Sequence, residues 1–276
     1  MTDSAPRPPP GPLATVEPWD LVSAGYTDEM PNVMLPFARQ ALALAALTRN
    51  SEVLDVATGP GTLALEIAPR VKRVDAVDFS PAMLEQLERR RRELRLENVH
   101  ARQADGQALP FPDQSFDAAF SMFGLMFFPD RDQGFSELHR TLRPGGVAVV
   151  SSWAPVAESP LMIAMFGALR AADPSRAAPQ TNLLNLENPD VFAKELRAAG
   201  FRDVRIERQT VAVEVTDPAG WWDLLARGSA PILLLQKRLG AQEWQRQSSL
   251  AKAWLARELA TPCSLATTAF LGFGRR

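Results

Sequence analysis

Val53-Leu54-Asp55-Val56-Ala57-Thr58-Gly59-Pro60-Gly61-Thr62-Leu63-Ala64 carries the reading of the fold. Val53–Val56 is a short apolar run interrupted only by Asp55, as suits a strand buried on both faces. Thr58-Gly59-Pro60-Gly61 is a tight turn, and its glycines let the backbone approach a ligand closely. A helix follows through about Ala68. Gly59-Pro60-Gly61-Thr62-Leu63-Ala64 fits the pattern G-x-G-x-x-G/A at every position, after a strand and at the opening of a helix. A second strand, Val74–Asp78, ends on Asp78, nineteen residues after Gly59. A carboxylate at that place takes the two hydroxyls of a ribose. The pattern points to a nucleoside-bearing ligand.

The alternation continues outward. Ser80 is a natural N-cap and Pro81 a natural first helical residue for the next helix. That helix is expected to turn Met83, Leu84, Leu87 and Leu94 inward. Glu85/Arg89 and Glu88/Arg92 form i,i+4 pairs outward, and the run Arg89–Arg92 reads as a solvated face. Strands are expected at Val99–Ala104, Phe116–Met122 and Gly146–Ser152, with a helix over 132–142 and a turn at Arg143-Pro144-Gly145-Gly146. Strands alternating with helices call for a parallel sheet covered on both faces, here over about 50–155. Before this core, apolar spacing predicts a helix from Met34 to Leu47. Beyond it come a helix at 158–172, a loop-like stretch at 173–190, a helix at 190–199 and a strand at Val204–Val215. A mostly helical stretch over 218–260 and a strand at Thr267–Phe273 complete the chain. The expected class is α/β, a Rossmann-like, doubly wound, seven-stranded sheet with helical lid insertions. One domain spans 19–276, its core 50–155 joined by 200–216 and 266–276, its lid segments 19–48, 158–188 and 217–262. Residues 1–18 hold six of the 23 prolines and read as an extended tail.

Composition narrows the function. A chain of 276 residues, 46% hydrophobic and 22% charged, can bury a full core without staples. Thirty Lys and Arg against 32 Asp and Glu give a net charge of −2, which argues against a broad nucleic-acid surface. Cys263 has no internal partner, and two histidines with one cysteine make no zinc set. Asp130 and Asp132 flank an arginine and read as a helix start, so no metal is expected. No apolar run is long enough to span a membrane and no secretion signal opens the chain, so the expectation is a cytoplasmic protein without membrane insertion.

Charge then selects among nucleosides. Asp55 stands at the carboxyl end of the first strand, facing the ligand, where it would oppose a pyrophosphate. Pro60 removes one N–H from any phosphate cradle. S-adenosylmethionine (SAM), with an ammonium and a sulfonium beside an adenosine, suits the site better than NAD. An NAD(P)-dependent oxidoreductase and a non-catalytic SAM-binding partner protein are the alternatives.

Four blocks in this order resemble class I SAM-dependent methyltransferases, closest to the type 11, ubiquinone/menaquinone C-methyltransferase-like branch. They are Val53–Gly61, Val77-Asp78-Phe79-Ser80-Pro81-Ala82-Met83-Leu84, Ala104–Asp117 and Leu142-Arg143-Pro144-Gly145-Gly146. Ser121-Met122-Phe123-Gly124-Leu125 is similar to that branch as well. The resemblance implies that Ala57, Thr58, Gly59 and Gly61 line the methionine and ribose part, with Asp55 below. It implies Asp78 on the ribose hydroxyls, Phe79 on the adenine with Met83 nearby, and Asp105 accepting from the adenine amino group beside Gly106 and Gln107. Met122 would stand near the methionine moiety. Many members carry Gly where this chain has Ala57.

Methyl transfer from a sulfonium is an in-line displacement whose main demand is positioning in a dry site. A general base is needed only for an acceptor protonated at working pH. His100 and His139 fall away from the ligand edge, His139 on an exposed helix position. Tyr26, in the segment that folds over the cofactor in related enzymes, is the one candidate for orienting substrate, and no residue is named as the catalytic base. After Phe120 there is no Asn/Asp-Pro-Pro-aromatic tetrad of the kind used on exocyclic amines of DNA bases. The acceptor is therefore expected to be a small hydrophobic or aromatic molecule, touched by Tyr26, Phe123, Met126 and Trp153. Apolar lid residues would enclose it: Leu161, Met162, Ile163, Met165, Phe166, then Trp221, Trp222, Leu224, Leu225 and Ile232–Leu235. A homodimer is compatible with the same residues.

Overall fold

A computed structural model of the protein describes residues 11–176 and 186–276. The run Pro8–Pro10 and residues 177–185 of the loop-like stretch lie outside the described residues. Two helices open the chain, α1 (Glu17–Glu29) and α2 (Pro31–Leu44). Alternation follows: β1 (Glu52–Val56), α3 (Thr62–Ile67), β2 (Arg73–Asp78), α4 (Pro81–Glu93), β3 (Val99–Gln103), β4 (Phe116–Ser121), α5 (Arg131–Thr141) and β5 (Leu142–Trp153). Then come α6 (Pro160–Ala172), α7 (Pro189–Ala198), β6 (Arg202–Val215), α8 (Pro218–Gly228), α9 (Ala230–Glu258) and β7 (Cys263–Arg275). Helix α9 is broken at Gly240, whose φ is 73°.

Among the described residues the seven strands form one sheet, as expected, in the order β3-β2-β1-β4-β5-β7-β6. The five strands of the core run parallel, and β7 lies antiparallel between β5 and β6. Side chains alternate across β1: Leu54 and Val56 join a core with α5 and α7, Val53 a core with α2, α3 and α4. The predicted turn at 143–146 is a bulge within β5, where the register against β4 shifts. Strands β6 and β7 pair from Arg202↔Arg275 to Val215↔Cys263, whereas β5 stays with β7 only as far as Trp153↔Ala269. The two outer strands thus outrun the sheet. Val215 and Leu265 at their far ends pack into a third core with α6, α8 and α9, which is the lid.

Several expectations need correction. Ser80 caps α4, its Oγ accepting from the Met83 N–H at 3.1 Å, and Met83, Leu84 and Leu87 are buried. Leu94 is 57% exposed, because it falls at the C-cap after the helix has turned past its buried stripe. Glu88 pairs with Arg91 and Arg89 with Glu93, while Arg92 bonds the Glu88 carbonyl. The basic run is only partly solvated, since Arg90 turns inward. Helix α1 was not foreseen. Gly11–Pro18, read as tail, instead packs: Pro12–Ala14 is a 3-10 turn whose Leu13 carbonyl receives the Trp19 indole N–H. His139 is half-buried edge-on against Phe201, 5.1 Å between ring centres, and burial holds its imidazole below the ordinary value.

Candidate functional site

The strand order reverses between β1 and β4, and a crevice opens beyond their carboxyl ends. Ala57, Thr58 and Gly59 enter it from β1, Met122 and Phe123 from β4. The turn after β1 is held from both sides. Thr58 N–H donates to the Val77 carbonyl of β2 at 3.0 Å, and Gly61 N–H donates back to the Thr58 carbonyl at 3.0 Å. Arg90, reaching from α4, donates to the Pro60 carbonyl at 2.9 Å, which is why it leaves the solvated face. Gly61 sits away from the crevice. Its φ is 79°, and a Cβ there would lie 2.8 Å from Leu87, so the glycine serves the packing of α3 on α4. Ala57 takes φ 56°, a left-handed conformation that favours glycine.

Two carboxylates are buried beside this turn. Asp55, 1% exposed, accepts from the Thr58 hydroxyl at 2.7 Å. Burial pushes its carboxyl up to about 7, against the pull of bonds from Thr58 and the Ala64 N–H and with a further push from Asp78. Asp78 accepts from the Gly59 N–H at 2.8 Å and the Ser80 N–H at 2.9 Å. Burial raises it to about 6 despite these bonds and one from Phe79. Neither carboxylate is paired with a cation among the described residues. Both are poised to gain a positive or hydroxyl-bearing partner.

Beyond β3, Asp105 accepts from the Gln107 backbone at 2.8 Å and its side-chain amide at 3.0 Å, and Gln107 in turn accepts from the Asp130 N–H at 2.7 Å. Gly106 lies flat under Phe128, where a Cβ would come within 2.5 Å. Asp130 caps α5 by accepting from Gln133 at 3.1 Å, the helix start expected there.

Helix α1 roofs the crevice. Asp20 accepts from the Ser80 hydroxyl at 2.6 Å, tying the roof to the N-terminus of α4. Trp19 meets Phe127 with ring centres 5.5 Å apart. Tyr26 faces the cavity, its phenol held above its ordinary value by burial and then by Asp78. Pro18 with Glu17 and Asp20 in the first turn is a helix-start signature that would have revealed α1.

The crevice and the space beneath the lid are continuous and together enclose about 1690 Å³. That exceeds the roughly 300–1,000 Å³ of most ligand pockets. Every residue predicted for cofactor or substrate reaches its wall except Gly61. Of the predicted lid residues, Ile163 is exposed, Leu233 packs beneath α1, and Trp222 is buried elsewhere, its indole donating to Ser248 at 2.7 Å. Phe123 takes φ 58° and stacks on Trp153 at 4.1 Å between ring centres, with Phe37 edge-on to both. The wall has one compositional signature. Met30 after α1, Met34 from α2, Met83, Met122 and Met126 from the core, and Met162 and Met165 from α6 all line it. These are seven of the eight methionines in the sequence; Met1 is outside the described residues. Trp19, Phe127 and Thr267 are wall residues that sequence reading missed; none belongs to a motif.

Comparison with known proteins agrees with this geometry. Residues 53–146 match a family model described as a methyltransferase domain. The demethylmenaquinone methyltransferase of Deinococcus radiodurans is 36% identical over 183 residues, 59% of this chain and 73% of that protein. The ubiquinone/menaquinone biosynthesis C-methyltransferase UbiE of a Geobacter species is 32% identical over 182 residues, 60% of this chain and 77% of that one. The YcgJ protein of Bacillus subtilis shares the fold with a TM-score of 0.57 at 21% identity, covering 86% of this chain and 98% of its own. With 32–36% identity over about three quarters of these relatives' length, the chain belongs to the SAM-dependent methyltransferases of the ubiquinone/menaquinone branch.

Proposed function

We propose that the crevice holds SAM and that the cavity beyond it receives a small hydrophobic or aromatic acceptor, a quinone-type ring among the candidates. The observation that carries this is the pair Asp55 and Asp78, buried without a cation at the switch point and opening onto an apolar cavity. Asp55 suits an ammonium, directly or through water, and Asp78 the ribose hydroxyls. Phe79 packs on the adenine, and Asp105 with Gly106 and Gln107 borders its amino edge. A pyrophosphate would meet the Asp55 carboxylate here, which disfavours a dinucleotide.

When bound, SAM supplies a methyl on a cationic sulfur. That methyl would pass to the acceptor's nucleophile, the C–S bonding pair leaving with sulfur as a neutral thioether. Any proton on the acceptor passes to water. The chain's part is to orient and to exclude water: α1 closes the roof through Asp20, and Tyr26, Phe123, Met126 and Trp153 border the acceptor side. The names of the quinone-branch relatives support a ring acceptor. Calorimetric titration with S-adenosylhomocysteine and, in parallel, NADH tests the cofactor. Binding of the first alone is expected, followed by an acceptor screen reading the mass gained when a hydrogen is replaced by a methyl group. Binding of NADH alone overturns the reading.

A further inference from the structure

Strand β6 stands at the rim of the sheet, and among the described residues only β7 pairs with it. Beyond the irregularity between Arg202 and Arg205 the pairing runs unbroken from Arg205 to Val215. An ordinary strand has about 5–6 residues, so this is a long edge. The run Arg205-Ile206-Glu207-Arg208-Gln209-Thr210-Val211-Ala212-Val213-Glu214-Val215 holds no proline, no lysine and no further bulge, the devices that usually blunt an exposed edge.

The ladder fixes which backbone groups lie open. Ala154 N–H donates to the Thr268 carbonyl at 3.1 Å and Thr268 N–H to Ser159 Oγ at 3.0 Å, so the backbone of Thr268 faces away from β6. Thr210, directly opposite, therefore turns its own N–H and C=O away from the pair, which for a rim strand is outward. The 3.0 Å approach of the Thr210 and Thr268 hydroxyls is that of such a non-hydrogen-bonded pair, where side chains stand closest. By alternation Arg208, Ala212 and Glu214 present their backbone groups the same way.

We propose that this edge pairs with the same edge of a second copy of the chain, the two β6 strands antiparallel about a two-fold axis at Val211. Such symmetry sets the residue on the axis against itself and keeps every side chain on its own face. With Val211 there, Arg208 stands opposite Glu214 of the second copy, once on each side of the axis, and Thr210 exchanges backbone bonds with Ala212. An axis one residue either way, at Thr210 or Ala212, brings no charge against its counter-charge, and one at Arg208 sets that guanidinium against itself. Ala212, Val213 and Glu214 also line the cavity, so the joined edges set the two chambers side by side across the axis.

The test is the mass of the full chain in solution, by sedimentation equilibrium without ligand over a concentration series. Wild type is expected to be a dimer. Glu214→Arg sets like charges across the seam and weakens association about tenfold, and combining it with Arg208→Glu restores association to within about threefold of wild type. Ala212→Pro removes an outward N–H and no bond to β7, so it abolishes the dimer while circular dichroism shows the fold intact. Amide exchange read by NMR follows the edge itself: the Thr210 N–H exchanges slowly in the dimer and rapidly in Ala212→Pro, while the inward Gln209 N–H stays protected in both. Should Ala212→Pro fail to fold, the charge variants alone decide. A wild type monomeric throughout the series, a dimer that survives Ala212→Pro, or a double charge variant no tighter than Glu214→Arg alone overturns the proposal.

Discussion

A β-carbon added at Gly124 would fall 2.3 Å from the Cβ of Ala57. The two residues follow the carboxyl ends of β4 and β1, so their contact sets how closely the walls of the crevice approach. Ala57 occupies a left-handed conformation, and the space its methyl takes is space that only glycine leaves at 124. Gly124→Ala should destabilise by about 1–3 kcal/mol through overpacking. Ala57→Gly should stabilise by about 0.5–1 kcal/mol, relieved backbone strain outweighing added chain entropy. The double variant should recover most of the Gly124→Ala loss, a coupling of about 1 kcal/mol or more in urea denaturation of the four proteins. Additive effects would show that the two positions do not share this space.

Asp78→Ala should weaken S-adenosylhomocysteine binding by about 1–3 kcal/mol, since ribose hydroxyls would lose their carboxylate. The carboxylate also receives the Gly59 and Ser80 N–H groups, so the variant's circular dichroism and melting must first show it folded. Unchanged affinity in a folded variant would remove Asp78 from the site.

Proton linkage gives a third expectation. Asp55 and Asp78 titrate at about 7 and about 6 in the free protein, both above their unfolded values. Between the unfolded value and these, the folded state binds more protons than the unfolded one. The contribution of both groups to stability is therefore full at low pH and is lost as pH rises through 6 and 7. A cationic ligand favours the ionised carboxylates, so SAM binding should release protons near pH 6.5 and weaken as pH falls toward 5. Calorimetry in buffers of different ionisation enthalpy reads the release directly. Proton uptake on binding, or none, would contradict a cation at Asp55.

Asp20 tests the roof. Its carboxylate accepts from Ser80 Oγ, and Asp20→Ala should cost about 0.5–2 kcal/mol of ligand affinity, mainly as faster dissociation. Asp20→Asn keeps an acceptor oxygen and should lose less. Trp19, one residue earlier and packed on Phe127, reports the opening by its fluorescence in stopped flow. Equal dissociation rates for wild type and Asp20→Ala would mean that the roof does not gate release.

Much of this was readable from sequence, for identifiable reasons. Strand alternation, the glycine turn and Ser80-Pro81 are local signals, and the parallel core they predict over 50–155 is the one observed. The charge argument from Asp55 needed only its place at a strand end, and its burial fits that argument. Failures came where distant packing decides. Arg90 belongs by spacing to a solvated face, but the turn at Pro60 draws it in. Gly61 fits the motif, yet Leu87 occupies the space at its α-carbon. Thr267 gave no signal as a wall residue: it reaches the cavity where β7 parts from β5, which no local pattern encodes.

That parting also bears on how the molecule is assembled. Among the described residues strand β6 pairs only with β7, and β7 is reached only after α8 and α9. Until β7 slots between β5 and β6, the parallel strands can zip up around the glycine turn while β6 and the lid core lack the strand that joins them. The roof waits as well, because α1 is anchored to partners far along the chain, Glu29 to Arg227 and Glu17 to Lys237. Contacts of such long separation close late and slowly. The half of the molecule that recognises the nucleoside is thus expected to take shape first, and the chamber that selects the acceptor to form around it as the final step of folding.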